Sequence, residues 1–437
     1  MVRALLRTFV TRGIASAGSF VLVVIVGRVY GAVGVGVYAL AQSLIMAVAV
    51  IGRWGMNGAL VRFVGRDLRS PKVRAYVRYA LVRAGVTSAA GMVVVFLLRG
   101  VLARLFDTPA LGPFIAGVSL AIPPFVMAFI LSGFMSAIRK PATACLLQNG
   151  AIAFVTVLLV LGMHALWPHQ GIILVAIGYA LAAWLVCAWG MWETSRWLRH
   201  QDLERVSITR EDVAEFKRSS AAFFAMNVAL FLLSVVGIWV AGYWLPTASV
   251  GLYKAAWQMS MLIGVILAVI NLILPTRFAD CFHRRDMVGL EQLARRGVLT
   301  ALILGGVPLA MCLAFPQWTL SLAGDEFINA AWVLQILALG QLVNLACGSV
   351  GHMLNMTGHE TTSSRIAWFS NITGLTMIVV GTPWIGVNAV AVGVATGMAL
   401  RKVVGVYFVW RSLGIWMLPV PNILALSGVR SARFSST

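Results

Sequence analysis

Four cationic side chains lie within long apolar stretches of this sequence, where a charge is costly and marks a functional candidate. They are Arg28, Arg53, Arg83 and Lys254. A guanidinium presents a planar fork of donors that matches two oxygens of a phosphate, and an ammonium supplies a compact charge. These residue types therefore predict a site for an anionic group. The alternative is that each cation extends along its apolar stem to the membrane surface.

Three uncharged polar residues, Gln42, Asn57 and Gln258, share these stretches and could hydrogen-bond the hydroxyl groups of a sugar. The alternative is that they join helix to helix, which is a common use of Asn and Gln in apolar segments. No Asp or Glu lies well inside an apolar stretch. A proton- or sodium-coupled exporter of cationic drugs would require a buried carboxylate, so its absence argues against that class of transporter.

Motifs for other chemistry are missing from the sequence. The five cysteines are scattered without a Cys-x-x-Cys spacing, so we expect neither a metal site nor a disulfide framework. The glycines near the start of the chain do not form the dinucleotide-binding fingerprint, and no phosphate-binding loop for ATP occurs. We therefore expect no cofactor and no hydrolysis of ATP by this chain.

The composition shows whether these residues belong to a soluble protein or to a membrane protein. Of the 437 residues, 60% are hydrophobic and 11% are charged, and the mean hydropathy is +0.91. Soluble domains are about 45–50% apolar and about 25% charged, so a soluble enzyme is excluded, as is disorder. The net charge of +20 then favours a basic face on anionic lipid over nucleic acid as a partner. The chain is predicted to be an integral membrane protein.

Apolar stretches long enough to cross a bilayer recur along the whole chain, since a spanning helix needs about 20 apolar residues. We predict about 12 transmembrane helices in an all-α polytopic protein. The first six are near Gly13–Tyr30, Gly36–Val61, Tyr79–Leu98, Leu111–Ala137, Pro141–Met163 and Gly171–Trp192. The second six are near Ala221–Leu245, Val250–Leu274, Gly297–Phe315, Ala330–Leu354, Ile366–Pro383 and Gly386–Trp410.

Arg and Lys alternate between connections in a way that predicts the orientation. They concentrate before the first span, in the even-numbered connections and after the last span, where Arg401 and Lys402 are counted. The odd-numbered connections carry little beyond Arg99 and Arg104. Positive loops stay on the cytoplasmic side, so we expect both termini to be cytoplasmic. Arg53 and Arg83 then lie toward the cytoplasm, and Arg28 and Lys254 toward the outside.

The connections are too short to hold an extramembrane domain. The outer connection Tyr30–Val35 is an example, and the longest inner connection is Glu193–Ser220. This inner connection is predicted to be a surface helix, because Thr209 can cap its start and Lys217 and Arg218 fall where its last turn would be. The alternative is a solvated linker.

An internal repeat relates the two halves of the chain. The segment Val35-Gly-Val-Tyr38 matches Val250-Gly-Leu-Tyr253, and at the same offset Arg62-Phe63 matches Arg277-Phe278. We therefore predict two parallel six-helix halves, 1–220 and 221–437, around a central cavity. The alternative is a chance match among small apolar residues.

These motifs carry a resemblance to a known family. Arg28-Val-Tyr-Gly31, then Gly36-Val-Tyr38, then Gly55-Met-Asn-Gly58 and Arg62 resemble Wzx-type O-antigen and polysaccharide flippases. That family belongs to the multidrug/oligosaccharidyl-lipid/polysaccharide exporter superfamily. The motifs are degenerate, being mostly Gly and Tyr at helix starts, and the similarity extends over nearly the whole chain.

The resemblance implies a function rather than demonstrating one. It implies a bacterial inner-membrane protein, not an enzyme, that moves an undecaprenyl-diphosphate-linked oligosaccharide to the outer leaflet by alternating access. It also implies that a polysaccharide polymerase and chain-length components are partners. Two alternatives remain open: an ion-coupled drug or metabolite exporter of the same fold, and a membrane-embedded polysaccharide polymerase or glycosyltransferase.

Overall fold

The computed structural model describes residues 2–167, 171–201, 206–271 and 274–418, and within these ranges it contains helices and turns but no strands. The chain clusters into two compact units, Met1–Lys254 and Ala255–Thr437. The boundary between the units, at 254/255, falls inside a helix. The repeat instead predicts halves that meet at 220/221, and this division of the chain stays a prediction. The predicted cytoplasmic tail falls largely in 419–437, outside the described residues.

The first unit contains ten complete helices in its described residues and the beginning of an eleventh. They are α1 (Val2–Arg53), α2 (Met56–Arg66), α3 (Val73–Leu105), α4 (Leu111–Val118), α5 (Ile122–Ala137), α6 (Pro141–Cys145), α7 (Ala151–Leu166), α8 (Ile173–His200), α9 (Arg210–Phe231), α10 (Gly237–Trp244) and α11 (Thr247–Ile270). A 3₁₀ turn, Ser119–Ala121, joins α4 to α5. π-Helical turns, Leu146–Gly150 and Leu232–Val236, join α6 to α7 and α9 to α10.

The second unit continues from α11 with seven further helices in its described residues. They are α12 (Leu274–His283), α13 (Met287–Ala314), α14 (Pro316–Ser321), α15 (Ala331–Cys347), α16 (Val350–Met356), α17 (Glu360–Ile385) and α18 (Val387–Leu413). A 3₁₀ turn, Asp325–Ala330, precedes α15.

Helix α1 holds the first predicted span and most of the second, Gly36–Val61, which continues across the break at Trp54 and Gly55 into α2. Its 52 residues would extend about 78 Å at about 1.5 Å per residue, which exceeds a hydrocarbon core of about 30 Å more than twofold. The helix is broken at Gly31, where φ is 69°, a conformation that glycine adopts without steric cost. The predicted outer connection Tyr30–Val35 is therefore wrong in extent, because a single non-helical glycine replaces it.

The described residues include nine helices or helix runs that are long and apolar enough to cross a membrane, and ten if the bent pair Pro141–Gln148 and Ala151–Leu166 is one span. In this count α1 contributes one element although it is broken at Gly31. The helical polytopic class is confirmed, and the number 12 stays a prediction. Large apolar side chains on the surface, such as Leu97 at 70% and Ile303 at 71% exposure, suit contact with lipid tails.

Helix α5 is the centre of the first unit. Almost all of its residues are buried, and it packs against α1, α2, α3 and α8. The rings of Phe125 and Phe134 are inaccessible, and Tyr38 of α1 meets Tyr179 of α8 edge to face, with ring centroids 6.3 Å apart. Because α5 is fixed on several sides, its residues are suited to hold side chains of α1 and α2 in place.

In the second unit α18 packs against α15 and α17. A cluster of large buried side chains, including Phe278, Met353 and Trp410, fills the space among α12, α13, α16 and α18. Arg295 is tied to the residues after α18, because its Nε donates to the carbonyl of Trp416 at 3.0 Å.

The predicted surface helix in the long inner connection is only partly correct. Thr209 does cap α9 as expected, with a reciprocal pair of hydrogen bonds to Asp212. The helix, however, does not end at Lys217 and Arg218 but runs on to Phe231, into the seventh predicted span. No glycine or proline interrupts this stretch, and Phe216 is fully buried, so α9 is one packed helix rather than a surface helix followed by a span.

Candidate anion-binding site

A break between α1 and α2 positions the first pair of candidate residues. Arg53 is the last residue of α1, and Asn57 lies in the first turn of α2. Between them Trp54 and Gly55 have positive φ angles of 43° and 71°. A Cβ on Gly55 would overlap the carbonyl oxygen of Ser220 on α9, so this elbow requires glycine. The break turns the chain and presents Arg53 toward α5.

Arg53 lies against an aromatic ring and has an unused donor. Its guanidinium carbon is 4.6 Å from the ring centroid of Phe129 on α5, a distance typical of a cation–π contact. Its Nε is buried without a hydrogen-bond partner, and so is the Oδ1 of Asn57. Gly133, one turn after Phe129, lets α5 approach the backbone of Asn57 closely. A buried donor and a buried acceptor without partners at one helix break are consistent with a ligand site.

Lys254 and Gln42 form a second polar contact, between α11 and α1. Lys254 is 9% exposed, and its Nζ donates to the Oε1 of Gln42 at 2.9 Å. On the next residue of α1, Ser43 accepts a hydrogen bond from the indole of Trp239 at 2.7 Å. Because Gln42 is neutral, this contact satisfies one donor of the ammonium without neutralising its charge.

The repeated glycines bring these two helices together. A Cβ on Gly36 of α1 would overlap the carbonyl oxygen of Thr247, and a Cβ on Gly251 of α11 would overlap that of Ala32. In each case the carbonyl belongs to the residue four positions before the partner glycine, so the contact is reciprocal. Lys254 follows Gly251 by three residues, and the close crossing allows it to reach α1.

The remaining predicted residues occupy separate positions. Arg83 donates from Nη1 to the hydroxyl of Tyr79 at 3.1 Å, and one turn further along α3 Thr87 donates to the carbonyl of Gly52 at 2.8 Å, beside Arg53. Arg83 and Arg53 therefore lie on contacting helices. Arg28 is exposed, three residues before the break at Gly31, and Gln258 is half-buried one turn after Lys254. The structure thus pairs Lys254 with Gln42 and places Arg53 and Asn57 at one elbow.

Helix α9 is fixed against α3 at its beginning. Lys72 and Asp212 form an ion pair at 2.8 Å, and Phe216 packs among Phe63, Tyr76 and Tyr79. The hydrogen bond from Lys72, together with that from the Thr209 backbone, lowers the pKa of the Asp212 carboxyl to about 2, from an ordinary 3.8. The contribution of this pair to stability is therefore complete above about pH 4 and is lost as the pH falls through 2.

One buried cation of the second unit, Lys402, is absent from the predicted site residues. Lys402 was predicted to follow the last span, but it lies inside α18, is 8% exposed and donates from Nζ to the carbonyl of Gly348 at 2.5 Å. Gly348 ends α15 with a φ of 60°, and beside it Ser349 hydrogen-bonds Asn271. Lys402 falls inside the predicted span Gly386–Trp410, and this position in the sequence already indicated that it could be a buried cation.

Two family models match the chain. A model of the family described as "Polysaccharide biosynthesis protein" matches residues 5–278, which is more than half of the chain, and the chain belongs to this family. A second family model, MatE, matches residues 222–380. Together with the shared fold, these matches confirm the exporter superfamily that the sequence resembles. No curated protein sequence is significantly similar to the chain.

Solved structures share this fold at low sequence identity. A structure of the lipid II flippase MurJ in an inward closed conformation is 12% identical with a TM-score of 0.75, over 94% of this chain and 87% of MurJ. The MATE multidrug transporter DinF-BH, solved in complex with a ligand, is 14% identical with a TM-score of 0.67, over 95% and 96% of the two chains. A MOP superfamily transporter from Pyrococcus furiosus is 17% identical with a TM-score of 0.58, over 93% and 94%. This is a multi-pass membrane protein with the fold of these flippase and transporter structures.

Proposed function

We propose that this protein is a Wzx-type flippase that moves an undecaprenyl-diphosphate-linked oligosaccharide from the cytoplasmic to the outer leaflet of the bacterial inner membrane. The observation that carries the proposal is the chemistry of two cations in the membrane-spanning helices, the half-buried Arg53 and the buried Lys254. Arg53 and Lys254 lie in membrane-spanning helices, and neither takes part in an ion pair within the part of the chain that the structure describes. Cations that lie in a membrane-spanning helix without a paired acid suit a substrate that brings its own negative charge.

The two contacts suggest how a diphosphate headgroup would be held. At the α1–α2 elbow Arg53 offers its unused Nε, and Asn57 offers an acceptor for a sugar hydroxyl. Lys254 can exchange its neutral partner Gln42 for a phosphate oxygen, since a charge-assisted hydrogen bond is about twice as strong as a neutral one. Gln258 and Arg28 lie along the same helices and would contact the headgroup at the outer side. On this proposal the two levels serve inward-open and outward-open states, while the polyprenyl tail stays in the bilayer.

A drug exporter of the same fold is the second candidate, because MATE multidrug transporters share the architecture. An exporter of cationic compounds requires a carboxylate at its binding site. The carboxylates in the described spanning helices all lie within about two turns of a helix end: Glu193, Glu291, Asp325, Glu326 and Glu360. Of these, Glu193 is paired with Lys140 at 2.6 Å and Glu291 with Arg295 at 2.8 Å. The proposal therefore remains a flippase for an anionic headgroup.

The test uses purified protein in liposomes that contain a fluorescent undecaprenyl-diphosphate oligosaccharide. Exposure of the glycan on the opposite leaflet is read with an impermeant quencher. We expect Arg53→Gln to lower the transport rate about 10- to 100-fold, since a hydrogen bond to a charged group is worth about 1.5–3 kcal/mol.

The matched control is Arg99→Gln. Arg99 also lies over a ring, 4.1 Å from the centroid of Phe96, but it donates to the exposed carbonyl of Phe96 near the other end of α3. The control should transport at the wild-type rate. Wild-type transport by Arg53→Gln would remove Arg53 from the mechanism. Liposomes in which the wild-type protein moves a cationic dye but no lipid-linked glycan would replace the proposal with drug export.

A further inference from the structure

A large basic cavity lies between α3 and the beginning of α9, at the end of the first unit that we predict to be cytoplasmic. Its volume is about 920 Å³. Its polar lining comes from α3, from the residues just before α9 and from α9 itself. These side chains are Arg74, Arg78, Tyr79, Arg83, Ser207 and Lys217.

The cavity concentrates positive charge, and its described lining contains no carboxylate. Four of its lining residues are cations, and none of them forms an ion pair with a carboxylate in the ranges that the structure describes. Two are held in place: Arg74 donates from Nη2 to the carbonyl of Leu198 at 3.2 Å, and Arg83 donates to Tyr79. Since each guanidinium has five donors, most remain available. Four like charges repel one another, and a bound anion relieves that repulsion.

An exposed apolar strip leaves the cavity along α3. Val82 lines the cavity and is 60% exposed, and Val86, Val93 and Leu97 follow at 66%, 50% and 70%. Their spacing of four, seven and four residues keeps them on one face of the helix. A soluble anion would make no contact with this apolar strip, whereas the acyl or prenyl chain of a lipid would pack against it.

We propose that this cavity, here called the α3–α9 pocket, binds the phosphate headgroup of a membrane lipid, with the lipid tail lying on the strip of α3. Basic pockets between helices at the cytoplasmic side suit such headgroups, and the volume is within the range of ligand sites, about 300–1,000 Å³. The pocket is distinct from the Arg53 elbow and from Lys254, so the proposal goes beyond the transport function and does not depend on it. Arg83, which sequence analysis placed with Arg53 in one substrate site, belongs to this pocket.

Two sources could supply such a lipid, and binding to the purified full-length protein distinguishes them. The probes are phosphatidylglycerol, undecaprenyl diphosphate and inorganic phosphate, each titrated in mild detergent at low salt, with bound lipid counted by native mass spectrometry. We expect at least one of the two lipids to bind. The double variant Arg78→Gln/Lys217→Gln should weaken that binding about tenfold or more. Loss of phosphatidylglycerol binding in this variant identifies a site for bulk anionic lipid, and loss of undecaprenyl diphosphate binding identifies a docking site for substrate, because the variant leaves Arg53 and Lys254 unchanged.

The matched control is Arg99→Gln/Arg104→Gln, which removes the same charge from the other end of α3, outside the pocket. It should bind both lipids as the wild type does, and equal thermal unfolding of the two double variants excludes misfolding as the cause. Equal lipid binding by the pocket variant and the wild type overturns the proposal. Inorganic phosphate that binds as tightly as either lipid also overturns it, because the tail would then contribute nothing.

Discussion

Lys254 is a buried cation and Arg53 is a half-buried one with a buried Nε, and both contact neutral groups rather than carboxylates. Arg53 lies over the ring of Phe129, and Lys254 donates to the amide oxygen of Gln42. A neutral partner satisfies part of the hydrogen bonding of a cation but leaves its charge uncompensated. An uncompensated charge away from water destabilises the protein without ligand, and a bound anion offsets that unfavourable free energy.

The Lys254–Gln42 contact can be measured through its coupling energy. We expect Lys254→Met and Gln42→Leu each to reduce the free energy of unfolding, with a coupling energy of about 0.5–2 kcal/mol, as for hydrogen bonds between membrane helices. The double-mutant cycle is measured by unfolding in mixed micelles. A second cycle of Gln42→Leu with Arg99→Gln, remote on α3, should give a coupling near zero. Strictly additive effects of Lys254→Met and Gln42→Leu would show that the contact is not formed in the membrane-embedded protein.

At the scale of helices, the repeated Gly-x-Tyr motifs have a structural role. Gly36 and Gly251 occupy equivalent positions in the repeat, and each accepts the backbone of the helix that carries the other. The tyrosines two residues later, Tyr38 and Tyr253, are both buried. Small residues allow membrane helices to approach closely, so the motif marks a helix crossing rather than a ligand site.

This crossing predicts different results for two glycine substitutions. Gly251→Ala should destabilise the protein by about 1–3 kcal/mol and lower its level in the membrane, because the new methyl group overlaps the backbone at Ala32. Gly100→Ala in α3 is the control, because a Cβ there meets nothing within 4 Å. It should be neutral or stabilising by about 0.5–1 kcal/mol. Unfolding transitions of the purified variants give both values, and equal stability of the two would contradict the close crossing.

At the scale of the whole molecule, the distribution of charge predicts the orientation in the membrane. The net charge is +20, and the basic connections alternate with nearly uncharged ones. Connections rich in Arg and Lys stay on the cytoplasmic side during insertion. The end of α2 and the beginning of α9, which carry cations, should therefore face the cytoplasm.

Cysteine labelling in intact cells tests this orientation. The five natural cysteines are first replaced by serine or alanine, and a single cysteine is introduced by Arg66→Cys or by Asp325→Cys, both at exposed positions. An impermeant thiol reagent should label position 325 in intact cells and position 66 only after the membrane is opened. The reverse pattern would invert the topology, and labelling of both positions in intact cells would exclude an alternating arrangement of the loops.

Much of the candidate site was predictable from local sequence, but its contacts were not. Arg53 was identified as a cation inside a predicted span because apolar residues surround it along the chain. Nothing in that stretch revealed that its Nε lacks a partner, since this depends on how α5 packs across the α1–α2 elbow. The Thr209 cap was predicted correctly because a capping box is a local pattern. The extension of α9 to Phe231 was missed although no glycine or proline interrupts 210–231.

The sequence by itself determined that the protein is a helical, multi-pass membrane protein with a basic character. The bilayer imposes this, because each span needs about 20 apolar residues and its backbone must be hydrogen-bonded internally. Tertiary structure alone decided which cations share an environment. It joined Lys254 to Gln42, buried Lys402 on the carbonyl of Gly348, and assembled the α3–α9 pocket from segments far apart in the chain. The hydropathy of a segment indicates that burying a charge there is unfavourable in free energy. Which group offsets that free energy depends on how helices distant in the sequence cross.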